Sequence, residues 1–304
     1  MSPVLETREL SRSFGGVDAV SGVSVAVEQG TVLGIIGPNG AGKSTLINLI
    51  TGHVKPSEGQ VMVDGRDMTG RKPWTIAKER VARTFQIVKP FRNLTVRENV
   101  AIGAMYGPER ARSAREAIAQ ADEALERVGL AHRAELSPGD LSVADARRLE
   151  LAKALAMRPR VLLLDEVMAG LRPDEIQPSL DLIRSLREDG VTIVVVEHVM
   201  KAIMAVSDEV LVMHEGRELT RGAPDEVVKD ERVIEAYLGE RYAQRARGDA
   251  SQPVAGQTPP APGREAGATR PAPGGEADAT RPAPGGEADA TRPTHGREAD
   301  DAPG

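Results

Sequence analysis

From residue 4 to about residue 30, apolar and polar positions alternate, as in Val4-Leu5-Glu6-Thr7 and Val23-Ser24-Val25-Ala26-Val27. A period of two predicts short antiparallel strands, turning at Gly15-Gly16. The pattern then changes. Thr31-Val32-Leu33-Gly34-Ile35-Ile36, Val161-Leu162-Leu163-Leu164 and residues 191–196 are continuous apolar runs, as expected of strands buried on both faces. Between them Ser57 to Gly65 reads as a turn and a strand ending in Asp64-Gly65. Residues 75–82 read as helical, and Val81 to Gln86 as another strand.

Helical spacing dominates residues 94–130. Ser113 and Glu116 have capping-box spacing, Ala117, Ala121, Ala124, Leu125 and Val128 share a face, and Gly129 stops the helix. Leu141-Ser142 opens the next helix, with Asp145 again at capping-box spacing, and Met157-Arg158-Pro159 breaks it. A helix over 174–188 follows, then strands at 209–213 and 217–221 about Glu215-Gly216, and a final helix over 224–242. From about Arg247 an 11-residue unit takes over, Gly274 to Pro284 and a near copy from Gly285. Its largest apolar residues are alanine and proline, so this tail is expected to be disordered and rich in polyproline II.

Composition narrows the chemistry. The 304 residues are 40% hydrophobic and 28% charged, with a formal net charge of −6. An acidic balance and 2% aromatic residues speak against a nucleic-acid binder. Without cysteine there is no disulfide, thiolate nucleophile or cysteine zinc site. No apolar run approaches the roughly 20 residues that span a bilayer, so any membrane part belongs to another subunit.

Gly37-Pro38-Asn39-Gly40-Ala41-Gly42-Lys43-Ser44-Thr45 lies between a buried-strand run and the apolar Leu46-Ile47-Asn48-Leu49-Ile50. It matches G-x-x-x-x-G-K-[ST], in which glycines curl the chain until backbone N–H groups converge on an anion. The following helix adds the positive end of its dipole. Lys43 can reach the β- and γ-phosphates of a nucleotide, and the Ser44 hydroxyl can ligate Mg²⁺. The bland alternative is a glycine turn with an incidental lysine. Asp165-Glu166 leaves a buried strand. Beside a phosphate loop Asp165 can hold Mg²⁺ through water and Glu166 can take a proton from attacking water. Otherwise the pair is an ordinary strand edge. Gln86 and His198 also end strands, where open α/β sheets gather their ligands. From the residues alone Phe14 reads as a core or hairpin aromatic in preference to a ring stacked on a nucleobase.

In this order the phosphate loop (37–45), Gln86, the helix from 141, Asp165-Glu166 and His198 make residues 4–242 resemble the nucleotide-binding subunit of an ATP-binding cassette (ABC) transporter. Thr84-Phe85-Gln86, Leu94 to Val100 and Val233 to Gly239 are similar to branched-chain amino acid importer ATPases. The resemblance implies an α/β fold of the ABC-type P-loop NTPase class. Its core sheet would be mostly parallel, with an antiparallel N-terminal subdomain, a helical insert over about 88–158, and the tail from 243. By resemblance Phe14 stacks on adenine, and Gln86 links the γ-phosphate and Mg²⁺ to the membrane subunit. Glu166 is then the general base, His198 contacts the γ-phosphate, and Ser142 donates to the γ-phosphate of an opposing subunit.

The resemblance further implies MgATP, a second ATPase subunit (identical or not), transmembrane permease subunits and, indirectly, a solute-binding protein. The place of work would be the cytoplasmic face of the membrane, and the solute branched-chain amino acids or related small polar molecules. Two rival readings are a soluble ABC-type ATPase acting on nucleic acid or ribosomes, and a weakly catalytic regulatory subunit. Three positions depart from the family pattern. The signature, LSGGQ-like in the family, reads Leu141-Ser142-Val143-Ala144-Asp145. Asp145 brings a carboxylate toward bound phosphate, repulsive unless a cation or the helix N-terminus compensates. Val167 replaces the proline after Asp165-Glu166, and Arg172 an aspartate or asparagine.

Overall fold

The computed structural model of the protein describes residues 3–85, 89–197 and 200–238. Gln86 and His198 lie outside the described residues. The N-terminal alternation becomes two long strands, β1 (Leu5–Phe14) and β2 (Val17–Val27), paired antiparallel through Gly15-Gly16. Both glycines have positive φ, at 54° and 85°, as a two-residue turn matched to strand twist requires. β1 also pairs antiparallel with β4 (Glu58–Val63), whose Asp64-Gly65 turn leads to the short β5 (Arg66–Asp67). The four form one sheet in the order β2-β1-β4-β5.

The continuous apolar runs form a second sheet. It comprises β3 (Val32–Ile36), β6 (Val81–Arg83), β7 (Val161–Asp165), β8 (Thr192–Val196), β9 (Glu209–His214) and β10 (Arg217–Gly222). Their order is β10-β9-β3-β8-β7-β6, parallel except for the β9–β10 hairpin. All five residues of β3, β7 and β8 are buried. Leu33, Ile35, Leu163 and Val194 face the N-terminal sheet and α1 (Lys43–Ile50), while Leu162, Leu164, Ile193 and Val195 face the helical side. β3 is central, with β8 and β9 on its two sides, so the loop after it opens where the sheet winds in both directions.

Between β6 and β7 the chain makes α3 (Val96–Tyr106), α4 (Ala114–Arg127) and α5 (Val143–Leu155), which pack together over the helical face. α6 (Pro173–Glu188) connects β7 to β8. Three sequence expectations change in extent. The predicted helix over 75–82 is α2 (Pro73–Lys78), and Arg80, with φ of 64°, turns the chain into a strand of three described residues. The Ser113–Glu116 box is half made. The Ser113 hydroxyl accepts the Glu116 N–H, but the Glu116 carboxylate accepts from Arg112 N instead. The single final helix is broken into α7 (Pro224–Val227) and α8 (Glu231–Val233), with a widened turn over Ile234–Leu238. The physical reason is Asp230, whose carboxylate accepts from Arg232 N and starts a fresh helix there.

Candidate functional site

Parallel β3, β6, β7 and β8 all end at one edge of the sheet, and residues 37–42, Asp165 and Glu166 sit where β3 and β7 reach it. After Ile36 the chain runs through Gly37, Pro38, Asn39, Gly40, Ala41 and Gly42 into α1. The three glycines have φ of 152°, 80° and 97°. A Cβ on Gly37 would lie 2.2 Å from the Met213 carbonyl, and one on Gly42 2.3 Å from that of Ala19. Only glycine fits where the loop meets β9 and β2 this closely. The Gly216 N–H, donated to the Ala41 carbonyl at 3.1 Å, fastens the outside of the loop.

α1 carries no side-chain cap on its first-turn N–H groups. Lys43 is buried in the same turn, its ammonium donating to the Gly37 and Pro38 carbonyls at 2.8 and 3.0 Å. Burial lowers its pKa from the ordinary lysine value, while Glu166 and Asp165 pull the other way. The fold thus brings Lys43, Asp165 and Glu166 into one electrostatic neighbourhood. Ser44 is exposed on the first turn of α1, with Thr45 half-buried beside it. Uncapped amides, a glycine cradle and a buried ammonium fit a nucleotide's phosphates, and the oxygens of Ser44 and Asp165 fit Mg²⁺.

Asp165 ends β7 almost fully buried. Its N–H donates to the Thr84 hydroxyl at 3.1 Å, and its carboxylate accepts from Arg83 at 2.7 Å. Glu166 adopts φ of 53°, a left-handed conformation uncommon for a glutamate, and its N–H donates to the Val196 carbonyl. Two residues on, Met168 N–H donates to the buried Glu197 carboxylate at 2.6 Å, which holds the loop against the end of β8. Sequence reasoning missed Arg83 and Glu197. Their signal was a charged residue at the end of an apolar strand, the same signal that marked Asp165.

Phe14 is 45% exposed at the tip of the β1–β2 hairpin, with the Arg12 guanidinium 4.7 Å over its ring. That hairpin is tied to the phosphate loop, since Ser21 N–H donates to the Gly216 carbonyl and Gly42 abuts Ala19. Ser142 is exposed at the N-terminus of α5, its hydroxyl accepting from Asp145 N–H at 3.1 Å and keeping a proton to donate. The Asp145 carboxylate is buried and flanked by Arg133 at 3.2 Å and Arg148 at 3.4 Å. The cation that its position demands is therefore supplied twice.

The family model described as ABC transporter matches residues 20–169. The one described as branched-chain amino acid ATP-binding cassette transporter matches residues 217–243. The high-affinity branched-chain amino acid transport ATP-binding protein BraF of Pseudomonas aeruginosa is 41% identical, across 78% of this chain and 98% of its own. The chain belongs to the ABC transporter family. It is an ATP-binding subunit of the family and an ATPase. LivG of Escherichia coli, similarly described, is 37% identical over the same shares. Among solved structures, an ATP-binding cassette in its ADP conformation shares 32% identity at a TM-score of 0.71, covering 79% of this chain and all of its own. A dimeric cassette holding ADP and Pi is 26% identical at a TM-score of 0.66. Relatives of this description favour the transport reading over a nucleic-acid or ribosome ATPase. No helix among the described residues is long and apolar enough to cross a membrane.

Proposed function

We propose that this ABC ATPase energises import of branched-chain amino acids, or related small polar solutes, through separate permease subunits at the cytoplasmic face of the membrane. The observation that carries the catalytic half is the convergence of Lys43, Asp165 and Glu166 at one sheet edge. The solute class rests on the branched-chain transport relatives and on the match at residues 217–243. ATP phosphates would lie in the cradle of residues 37–45, with Lys43 exchanging its two carbonyl partners for phosphate oxygens. Mg²⁺ would be held by Ser44, Asp165 and Gln86 and would supply charge neutralisation on the phosphates.

Glu166 accepts a proton from the attacking water, and His198 holds the γ-phosphate. Phe14 provides a ring for adenine. Ser142 completes the site of a second ATPase subunit, so two cassettes close around two nucleotides and hydrolysis reopens them. A solute-binding protein delivers to the permease, and nucleic acid has no part. The test is the solution mass of Glu166→Gln by light scattering, with and without MgATP. The expected result is a shift from monomer to dimer on adding MgATP, with ATP turnover lower by about 10³ or more. Turnover equal to wild type beside a competent partner would overturn Glu166 as the base.

A further inference from the structure

A second space lies behind the phosphate site, between the helical insert and the core. It is a cavity of about 260 Å³ whose apolar wall includes Leu151 of α5, Leu164 of β7, Val167, and Leu182 of α6. Arg127, Arg147 and Arg148 also line it, and no aspartate or glutamate does. The arginines already have partners, among them Asp189 for Arg127, the Phe85 carbonyl for Arg147 and Asp145 for Arg148. A guanidinium carries five N–H donors, so the pairings of Arg127 and Arg148 leave hydrogen-bonding capacity on both. The cavity is apolar in its wall and cationic in its polar groups. It is smaller than the roughly 300–1,000 Å³ that holds drug-sized ligands.

We propose that this cavity binds a small aliphatic monocarboxylate, its hydrocarbon against the leucines and Val167 and its carboxylate on the arginines. A charge-assisted bond from a planar guanidinium suits a carboxylate. An amino acid is a poorer occupant, because its ammonium would sit among three arginines, while the nearby Asp189 and Asp145 carboxylates lie outside the lining and are already engaged by Arg127 and Arg148. The position gives the occupant leverage on the ATPase. Val167 directly follows Glu166, and Ala144, also in the lining, lies in the first turn of the helix that Ser142 caps. Both are positions where the chain departs from its family pattern, so two of the three departures meet at one cavity.

The experiment is isothermal titration of the full chain with isocaproate, which is leucine without its ammonium group, and with leucine itself. Saturable binding of isocaproate is expected, with leucine at least about tenfold weaker, the scale of one charged hydrogen bond. This comparison uses wild-type protein and needs no variant to fold. Arg147→Gln is expected to weaken isocaproate about tenfold on the same scale. Ser179→Phe, which fills the cavity from α6, is expected to abolish binding while a cooperative melt shows that the chain is folded. No saturable isocaproate binding, or leucine binding as tightly, overturns the proposal. Unchanged affinity in both folded variants places the ligand elsewhere and overturns it too.

Discussion

Lys43 is buried with its ammonium turned onto two carbonyls of its own loop, and on the proposed reading this costs the fold some stability in order to hold a cation ready for phosphate. Its folded-state pKa lies below that of the unfolded chain, with burial the largest cause. The folded form therefore binds fewer protons in the interval between the two values. The destabilisation is complete below the folded pKa and fades as pH rises through it. Lys43→Met is expected to lower ATP hydrolysis by about 10²–10³ or more, yet to leave the nucleotide-free melting temperature unchanged or raised at neutral pH. A clear fall in that temperature would show that the ammonium stabilises the loop. Asp145 is the opposite case. Its carboxylate, flanked by Arg133 and Arg148, replaces a family glutamine without stranding a charge. Asp145→Asn is expected to cost about 1–2 kcal/mol, because both arginines remain partly solvated. Urea midpoints identical to wild type would refute it. That the loop of residues 37–45 comes together with Asp165 and Glu166 was legible from residue types and spacing alone. The partners of Asp145 were not, because Arg133 comes from another turn of chain and only tertiary packing sets it there.

Strands and their ends carry most of the chemistry. β6 has three described residues, yet its last one, Arg83, spans from β6 to the Asp165 carboxylate, the Asn48 side-chain Oδ1 at 2.6 Å and the Thr51 hydroxyl at 3.3 Å. It also lies 5.1 Å from the centre of the Phe85 ring, one residue before Gln86. One buried guanidinium thus joins α1, β7 and the chain leading to Gln86. Arg83→Met removes one partner of a buried ion pair and is expected to cost about 3 kcal/mol, or roughly 6–12 °C in melting temperature. A loss under about 1 kcal/mol, the surface-pair range, would show the pair is solvated in solution. The elements themselves were largely legible, because buried parallel strands and amphipathic helices leave different periods in a sequence. The final helix was not. Residues 224–238 keep a helical composition throughout, and the break comes from one aspartate turning its side chain back onto the backbone.

At the scale of the whole molecule, the residues that match known relatives end well before the chain does. Similarity to BraF covers 78% of the chain and 98% of that protein, and the C-terminal family match stops at residue 243. Among the described residues, the contacts that fasten the phosphate loop, from Ala19 to Gly216, all come from before residue 243. The repeat beyond Arg247 carries no apolar residue larger than alanine or proline, a composition from which no packing on the ATPase domain is expected. Its repeated unit Gly-Gly-Glu-Ala-Asp-Ala-Thr-Arg-Pro-Ala-Pro mixes both signs of charge, which also leaves no strong field to steer it onto the domain. Deletion of residues 247–304 is therefore expected to leave ATP hydrolysis within about twofold of wild type and the melting temperature within about 2 °C, the shift that less than 1 kcal/mol produces in a domain this size. Calorimetry and a steady-state ATPase assay on the truncated and full chains decide it. A fall of several degrees would mean that the tail packs on the ATPase domain.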